Sequence, residues 1–128
     1  MQSFDSIDHE SFMIEALREA EKALARGDRP IGAVITHKGQ VIARASNGSV
    51  TGKNRIAHAE LSALLDCASF LNDYGTECII YTTVEPCVMC LGAIVMANIR
   101  NIVFGMPDRY INARSIIEHN DHIRQRVH

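Results

Sequence analysis

From Ile7 to Arg26 apolar residues recur at helical spacing: Phe12, Ala16, Leu17, Ala20, Ala23 and Leu24 share a face. Asp8 suits the cap at the start of this helix and Gly27 suits its end. Arg29-Pro30 is a break. Gly32 to His37 and Val41 to Ala45 are short apolar segments around Lys38-Gly39, which predicts a β-hairpin. Ser46 to Arg55 is a polar loop with two glycines. Helical spacing returns from Ala57 to Leu71 through Leu61, Leu64, Leu65 and Ala68. Asn72 to Thr76 is a turn, and Cys78 to Thr83 is rich in strand formers. Pro86 suits the first turn of a helix reaching Met96. Asn101 to Gly105 is another strand, and Ala113 to Val127 a last helix with a weak stripe of Ile116, Ile117 and Ile123.

The predicted order is α-β-β-α-β-α-β-α. The strand–helix–strand unit from Cys78 to Gly105 implies a parallel pair with a right-handed crossover. A mixed sheet with helices on both faces follows, which is the α/β class. The helix from Pro86 is apolar nearly all round, so most of its sides need cover. That cover comes from the rest of the chain or from a second copy in a homodimer.

The 128 residues suit one domain spanning 1–128, long enough to bury a core. No apolar run approaches the roughly 18 residues of a membrane span, and Met1 to Glu10 carries no basic apolar signal region. The expectation is a soluble, cytoplasmic protein. A formal charge of −2 lacks the basic excess of a strong nucleic-acid binder, although a local patch can hide in a neutral total.

The chemistry lies in His58-Ala59-Glu60 and Pro86-Cys87-Val88-Met89-Cys90. Cys87 and Cys90 share one helix face and can grip one ion. His58 and Glu60 would diverge by about 200° in mid-helix. In a first turn side chains lean toward the N-terminus, so both can reach a site beyond the helix end. Two helix starts then converge, and their positive ends favour thiolates.

A structural zinc site would need a fourth protein ligand. Cys67 is roughly 13 Å from His58 by helical rise, and Cys78 roughly 17 Å from the site by strand rise. Both read as core residues. The expectation is therefore one Zn²⁺ per chain on His58, Cys87 and Cys90, with water in the fourth position and Glu60 as the acid/base. Taken singly, H-x-E is common by chance and C-x-x-C also fits a thioredoxin-like redox pair. A non-catalytic zinc-stabilised module is the other alternative, and it has no use for Glu60. His9, His37, His119, His122 and His128 read as solvated.

H-x-E followed by P-C-x-x-C is a signature of zinc deaminases. With the longer string Tyr81-Thr82-Thr83-Val84-Glu85-Pro86-Cys87-Val88-Met89-Cys90-Leu91-Gly92-Ala93-Ile94, the chain resembles the cytidine-deaminase-like superfamily from about Ile31 to Gly105. It is similar to the branch holding bacterial tRNA adenosine deaminases, guanine deaminases and fungal-type cytosine deaminases. The resemblance implies a three-layer α/β/α sandwich around a mixed five-stranded sheet, usually dimeric. Four strands are located above; a fifth would come from near Arg114 to Ile117, which otherwise reads as helix.

The resemblance also implies that Asn47 hydrogen-bonds a substrate base. Backbone N–H groups at Ala59 and Cys87 would face the pocket; Ile31 and Val34 form an apolar wall or belong to the core, and Tyr110 stacks on the substrate ring or serves packing. Met106 to Asn112 departs from the lysine- and glycine-rich stretch usual in tRNA adenosine deaminases. With the acidic charge balance, this makes deamination of a free nucleobase or nucleoside the leading expectation. Deamination of adenosine in a tRNA anticodon loop is the alternative, supported by Arg44, Lys53 and Arg55.

Overall fold

The structure is a computed structural model that describes residues 4–107 and 113–127. Helix α1 (His9–Arg26) starts where the Asp8 carboxylate accepts the Ser11 N–H at 3.1 Å and stops at Gly27, whose φ of 95° turns the chain out of the helix. Strands β1 (Gly32–His37) and β2 (Gln40–Ser46) form the predicted hairpin. Lys38 and Gly39 both adopt positive φ, 49° and 78°, the geometry of a two-residue type I′ turn. Helix α2 (Ala59–Asp66) and helix α3 (Ala68–Tyr74) follow. Strand β3 (Cys78–Val84), helix α4 (Val88–Met96) and strand β4 (Asn101–Met106) complete the strand–helix–strand unit. Helices α5 (Arg114–His119) and α6 (Asp121–Arg126) close the described chain.

The sheet order is β2-β1-β3-β4. The β2/β1 and β1/β3 pairs are antiparallel and β3/β4 is parallel. Strand alternation sorts the core into two layers. Val34, Ile79 and Tyr81 pack on α1, while Ala33, Ile35, Cys78 and Ile80 pack with Ala59, Ala63 and Leu64 of α2 and Ile94 of α4. This is an α/β/α sandwich with four strands among the described residues rather than five. The segment near Arg114–Ile117 is helix α5, so it supplies no fifth strand.

The single helix expected from Ala57 to Leu71 is two. Cys67 leaves helical geometry at φ −122°, ψ 27°, and this re-aims the apolar stripe so that Leu71 reaches the core while Leu65 stays 68% exposed. The last helix is also two, because Asn120 breaks it and caps α6 through the Ile123 N–H at 3.1 Å. Helices α5 and α6 cover the Leu91 and Val95 side of α4. Met96 remains 82% exposed beside a groove of about 600 Å³ between α2, α3 and α4. The described chain thus supplies only part of the cover that α4 needs.

Two histidines depart from the solvated expectation because each finds partners. The His9 Nε2–H donates to the Phe4 carbonyl at 2.7 Å, which leaves Nδ1 to accept from the buried Tyr81 hydroxyl at 2.7 Å. His37 reaches Glu77 at 3.0 Å and sets its ring edge-on to Phe70. His119 and His122 are exposed as expected, and His128 lies outside the described residues.

Gly32 marks the closest approach of β1 to α1. A Cβ there would collide with the Ala16 carbonyl and the Ala20 nitrogen, backbone atoms with no rotamer to escape into. Gly32→Ala is expected to destabilise the fold by about 1–3 kcal/mol through overpacking, read from denaturant unfolding. A change below a few tenths of a kcal/mol would mean that α1 and β1 separate at little cost.

Candidate metal centre and active site

His58 is the N-cap of α2 and Cys87 the N-cap of α4, and neither side chain makes the usual capping hydrogen bond. Both helix starts therefore present their positive ends to the site, and both turn the capping side chain toward a common point. Cys90 stands three residues on from Cys87. An N-cap side chain and its third neighbour face each other across a first helical turn, as in a capping box. The spacing of C-x-x-C thus brings the two sulfurs together once the helix begins at Val88. Pro86 therefore lies ahead of the helix and not in its first turn, which begins two residues later at Val88.

His58 Nδ1 lies 3.6 Å from Cys87 Sγ and 3.6 Å from Cys90 Sγ. The three donor atoms all fall within 4.8 Å of one another. A tetrahedral zinc with Zn–S of about 2.3 Å and Zn–N of about 2.0–2.1 Å separates nitrogen from sulfur by roughly 3.5–3.6 Å. The donor set therefore fits zinc in type and spacing. Cys67 and Cys78 lie outside this group: their thiols donate to the Ala63 and Tyr74 carbonyls at 3.4 and 3.3 Å. Burial raises both thiols, Cys78 to about 12, which keeps them protonated packing residues.

The hydrogen bond between the two site cysteines pulls Cys87 down to about 5 and pushes Cys90 up, so Cys87 is the readier thiolate. Glu60, in the first turn of α2, is only 4% exposed. Burial raises its carboxyl above the ordinary value, and the Cys87 charge acts in the same direction. The nearby His58 charge and Thr82 hydroxyl act in the opposite direction, the hydroxyl itself donating to the Val84 carbonyl at 2.9 Å. A carboxyl desolvated in this way beside a metal donor set is suited to proton transfer near neutrality.

Asn47 follows β2 and is 2% exposed. Its amide Oδ1 accepts the Ser49 N–H at 3.0 Å and the Ser49 hydroxyl at 2.8 Å. The Gly48 N–H donates to the Ala57 carbonyl at 3.0 Å, so the Asn47 loop is tied to the residue just before His58. Ala59 is fully buried in the first turn of α2. Ile31 packs at the edge of the core layer that contains Ala59. Val34 does not: it faces α1 across the sheet, because adjacent strand positions point to opposite sides, so it forms no wall on the Ala59 side. Tyr110 lies outside the described residues.

Thr82, Asp28, Arg26 and Ser49 were not singled out from the sequence. Thr82 sits on β3 and meets Glu60 only once the sheet forms. Asp28 follows the Gly27 cap and reads as an ordinary turn residue. Arg44 is occupied, its guanidinium holding Glu15 at 2.9 Å.

The layered fold and the His-Cys-Cys set with its buried carboxylate define a zinc-binding α/β/α domain. Residues 6–106 match the family described as the cytidine and deoxycytidylate deaminase zinc-binding region. The chain belongs to that family. It is 42% identical over 100 residues to a tRNA-specific adenosine deaminase of Bacillus subtilis, covering 77% of this chain and 62% of that protein. A tRNA-specific adenosine deaminase of Aquifex aeolicus is 39% identical over 101 residues, covering 78% and 67% respectively. The chain thus spans about three fifths of the length of the Bacillus relative.

Among solved structures, one from a study of A-to-I editing by tRNA:A34 deaminases at the wobble position superposes with a TM-score of 0.72. It is 37% identical and covers 79% of this chain and 78% of that one. A guanine deaminase from Bacillus subtilis superposes with a TM-score of 0.73 at 32% identity, covering 90% and 78%. No helix among the described residues is long and apolar enough to cross a membrane.

Proposed function

We propose that this chain is a zinc-dependent hydrolytic deaminase that converts an adenosine in an RNA loop to inosine. The observation that carries the reading is its 42% identity to a tRNA-specific adenosine deaminase. It takes precedence over the free-base expectation, which rested on the total charge and on the departure of Met106 to Asn112 from a lysine- and glycine-rich stretch. A total of −2 averages over the surface and says little about one loop. Lys53 and Arg55 are exposed on the loop that joins Asn47 to His58, where they suit phosphate contacts beside the pocket.

His58, Cys87 and Cys90 hold the zinc, which when bound supplies the Lewis acidity that makes water a nucleophile at neutral pH. Glu60 accepts a proton from the attacking water and delivers it to the adenine N1 as the oxygen bonds to C6. A second proton from the same water reaches the amine through Glu60. The C6–N bond then breaks, and water and adenosine have become inosine and ammonia. Asn47 orients the base by hydrogen bonding, and the backbone N–H groups of Ala59 and Cys87 donate to the ring. The base must leave its stack to reach them.

A second reading, deamination of a free base, is favoured by the likeness to guanine deaminase. Ammonia release decides between the two when measured on an RNA hairpin with adenosine in its loop, on adenosine, on guanine and on cytosine. The expected result is turnover of the hairpin at least about tenfold faster than any small substrate, with binding that weakens steeply as salt rises. Faster turnover of guanine or cytosine would overturn it.

A further inference from the structure

Asp28 carries a charge in a position where its side chain is 0% exposed. A buried carboxylate persists only when its oxygens are paired, and this one is saturated. Oδ1 accepts the Val50 N–H at 3.0 Å and the Thr51 N–H at 2.8 Å. Oδ2 accepts the Thr51 hydroxyl at 2.8 Å and the Arg26 Nε–H at 3.1 Å. The Thr51 N–H is the main cause holding this carboxyl below its ordinary value.

Arg26 extends the same network. Its Nη2 donates to the Ser46 hydroxyl and to the Asn47 carbonyl, both at 2.9 Å. The end of α1 therefore grips the chain on both sides of Asn47, at 46–47 and at 50–51. A turn that merely joined β2 to α2 would need no buried carboxylate at this position.

What the grip preserves is a direction. A backbone N–H can only donate, so the atom of Asn47 that meets the Ser49 N–H is the carbonyl oxygen. The Asn47 NH₂ is thereby turned the other way and can act only as a donor. We infer that Asp28 is a positioning residue for base recognition, holding the 46–51 loop so that Asn47 offers a fixed amide donor to an acceptor atom of the substrate ring. The inference rests on the functional reading above, in which Asn47 meets the base.

Asp28→Asn keeps the shape but replaces a charged acceptor pair with one acceptor and one donor. In the full chain loaded with zinc it is expected to speed hydrogen exchange at the Val50 and Thr51 amides. It should also lower kcat/KM on the adenosine hairpin by about tenfold, mainly through KM, with one zinc per chain retained. The decisive measurement is the cycle with Asn47→Ala. If Asp28 acts through Asn47, adding Asp28→Asn to Asn47→Ala costs nothing further. Losses that add in the double variant, or an unchanged kcat/KM despite faster exchange, would overturn the inference.

Thr51→Val removes one bond to Asp28 and serves in the same cycle should Asp28→Asn fail to fold. Hairpin affinity is measured alongside turnover. An unaltered chain that binds but releases no ammonia defeats the deaminase reading, while the clamp still stands or falls on the binding cycle. No hairpin binding by the unaltered chain overturns both.

Discussion

Glu60→Gln is expected to abolish ammonia release, lowering kcat by about 10²- to 10⁴-fold, while the protein still binds one zinc per chain. The two halves of this result have separate causes. Glutamine matches the size of glutamate, so the first turn of α2 stays in place. Zinc binding is retained because the donor set is His58, Cys87 and Cys90, and Glu60 is not among them. Turnover is lost because a carboxamide cannot carry a proton from water to a ring nitrogen. Metal analysis and ammonia release on one sample read both. A variant that keeps its rate within a few-fold would remove Glu60 from the mechanism. One that loses zinc in parallel would make the carboxylate a ligand and the site a closed, structural one.

The site was legible in the sequence because its geometry is local. H-x-E and C-x-x-C each span less than one helical turn, and each works only where a helix begins. Apolar periodicity marks both starts, and Pro86 that of α4, without any tertiary information. Residues whose position depends on the other side of the molecule were not legible. Val34 and Ile35 look alike in sequence, yet one faces α1 and the other α2, and alternation does not say which. Asp28 is separated from Val50 and Thr51 by a hairpin, so nothing near it announces that its carboxylate is buried. The break at Cys67 follows from the demand that Leu71 reach the core, a demand the α2 stripe alone does not contain. The free-base expectation came partly from the make-up of Met106 to Asn112 and partly from a summed charge, a quantity that discards where Lys53 and Arg55 sit.

His58→Ala and Cys87→Ala are each expected to lose bound zinc. Structural zinc sites of four ligands bind with about 10–16 kcal/mol, so one ligand accounts for roughly a quarter of that, or about 10²- to 10³-fold in affinity. With only three protein donors to begin with, such a loss leaves little zinc after dialysis against a mild chelator. Cys67→Ala is the matched control: it removes a thiol from the same chain but leaves the donor set whole. Stability supplies an independent reading. Zinc that binds only the folded chain raises the unfolding midpoint by an amount that grows with its free concentration. That dependence should appear in the unaltered protein and in Cys67→Ala, and vanish in His58→Ala and Cys87→Ala. It should vanish for a physical reason that ties the metal to the fold. Zinc held by His58, Cys87 and Cys90 would add a link between the start of α2 and that of α4 to the core packing the two helices share, so losing a ligand on either helix would remove that link. Unchanged stoichiometry in either variant, or a midpoint that still climbs with zinc, would place the metal elsewhere and leave the three converging donor atoms without their purpose.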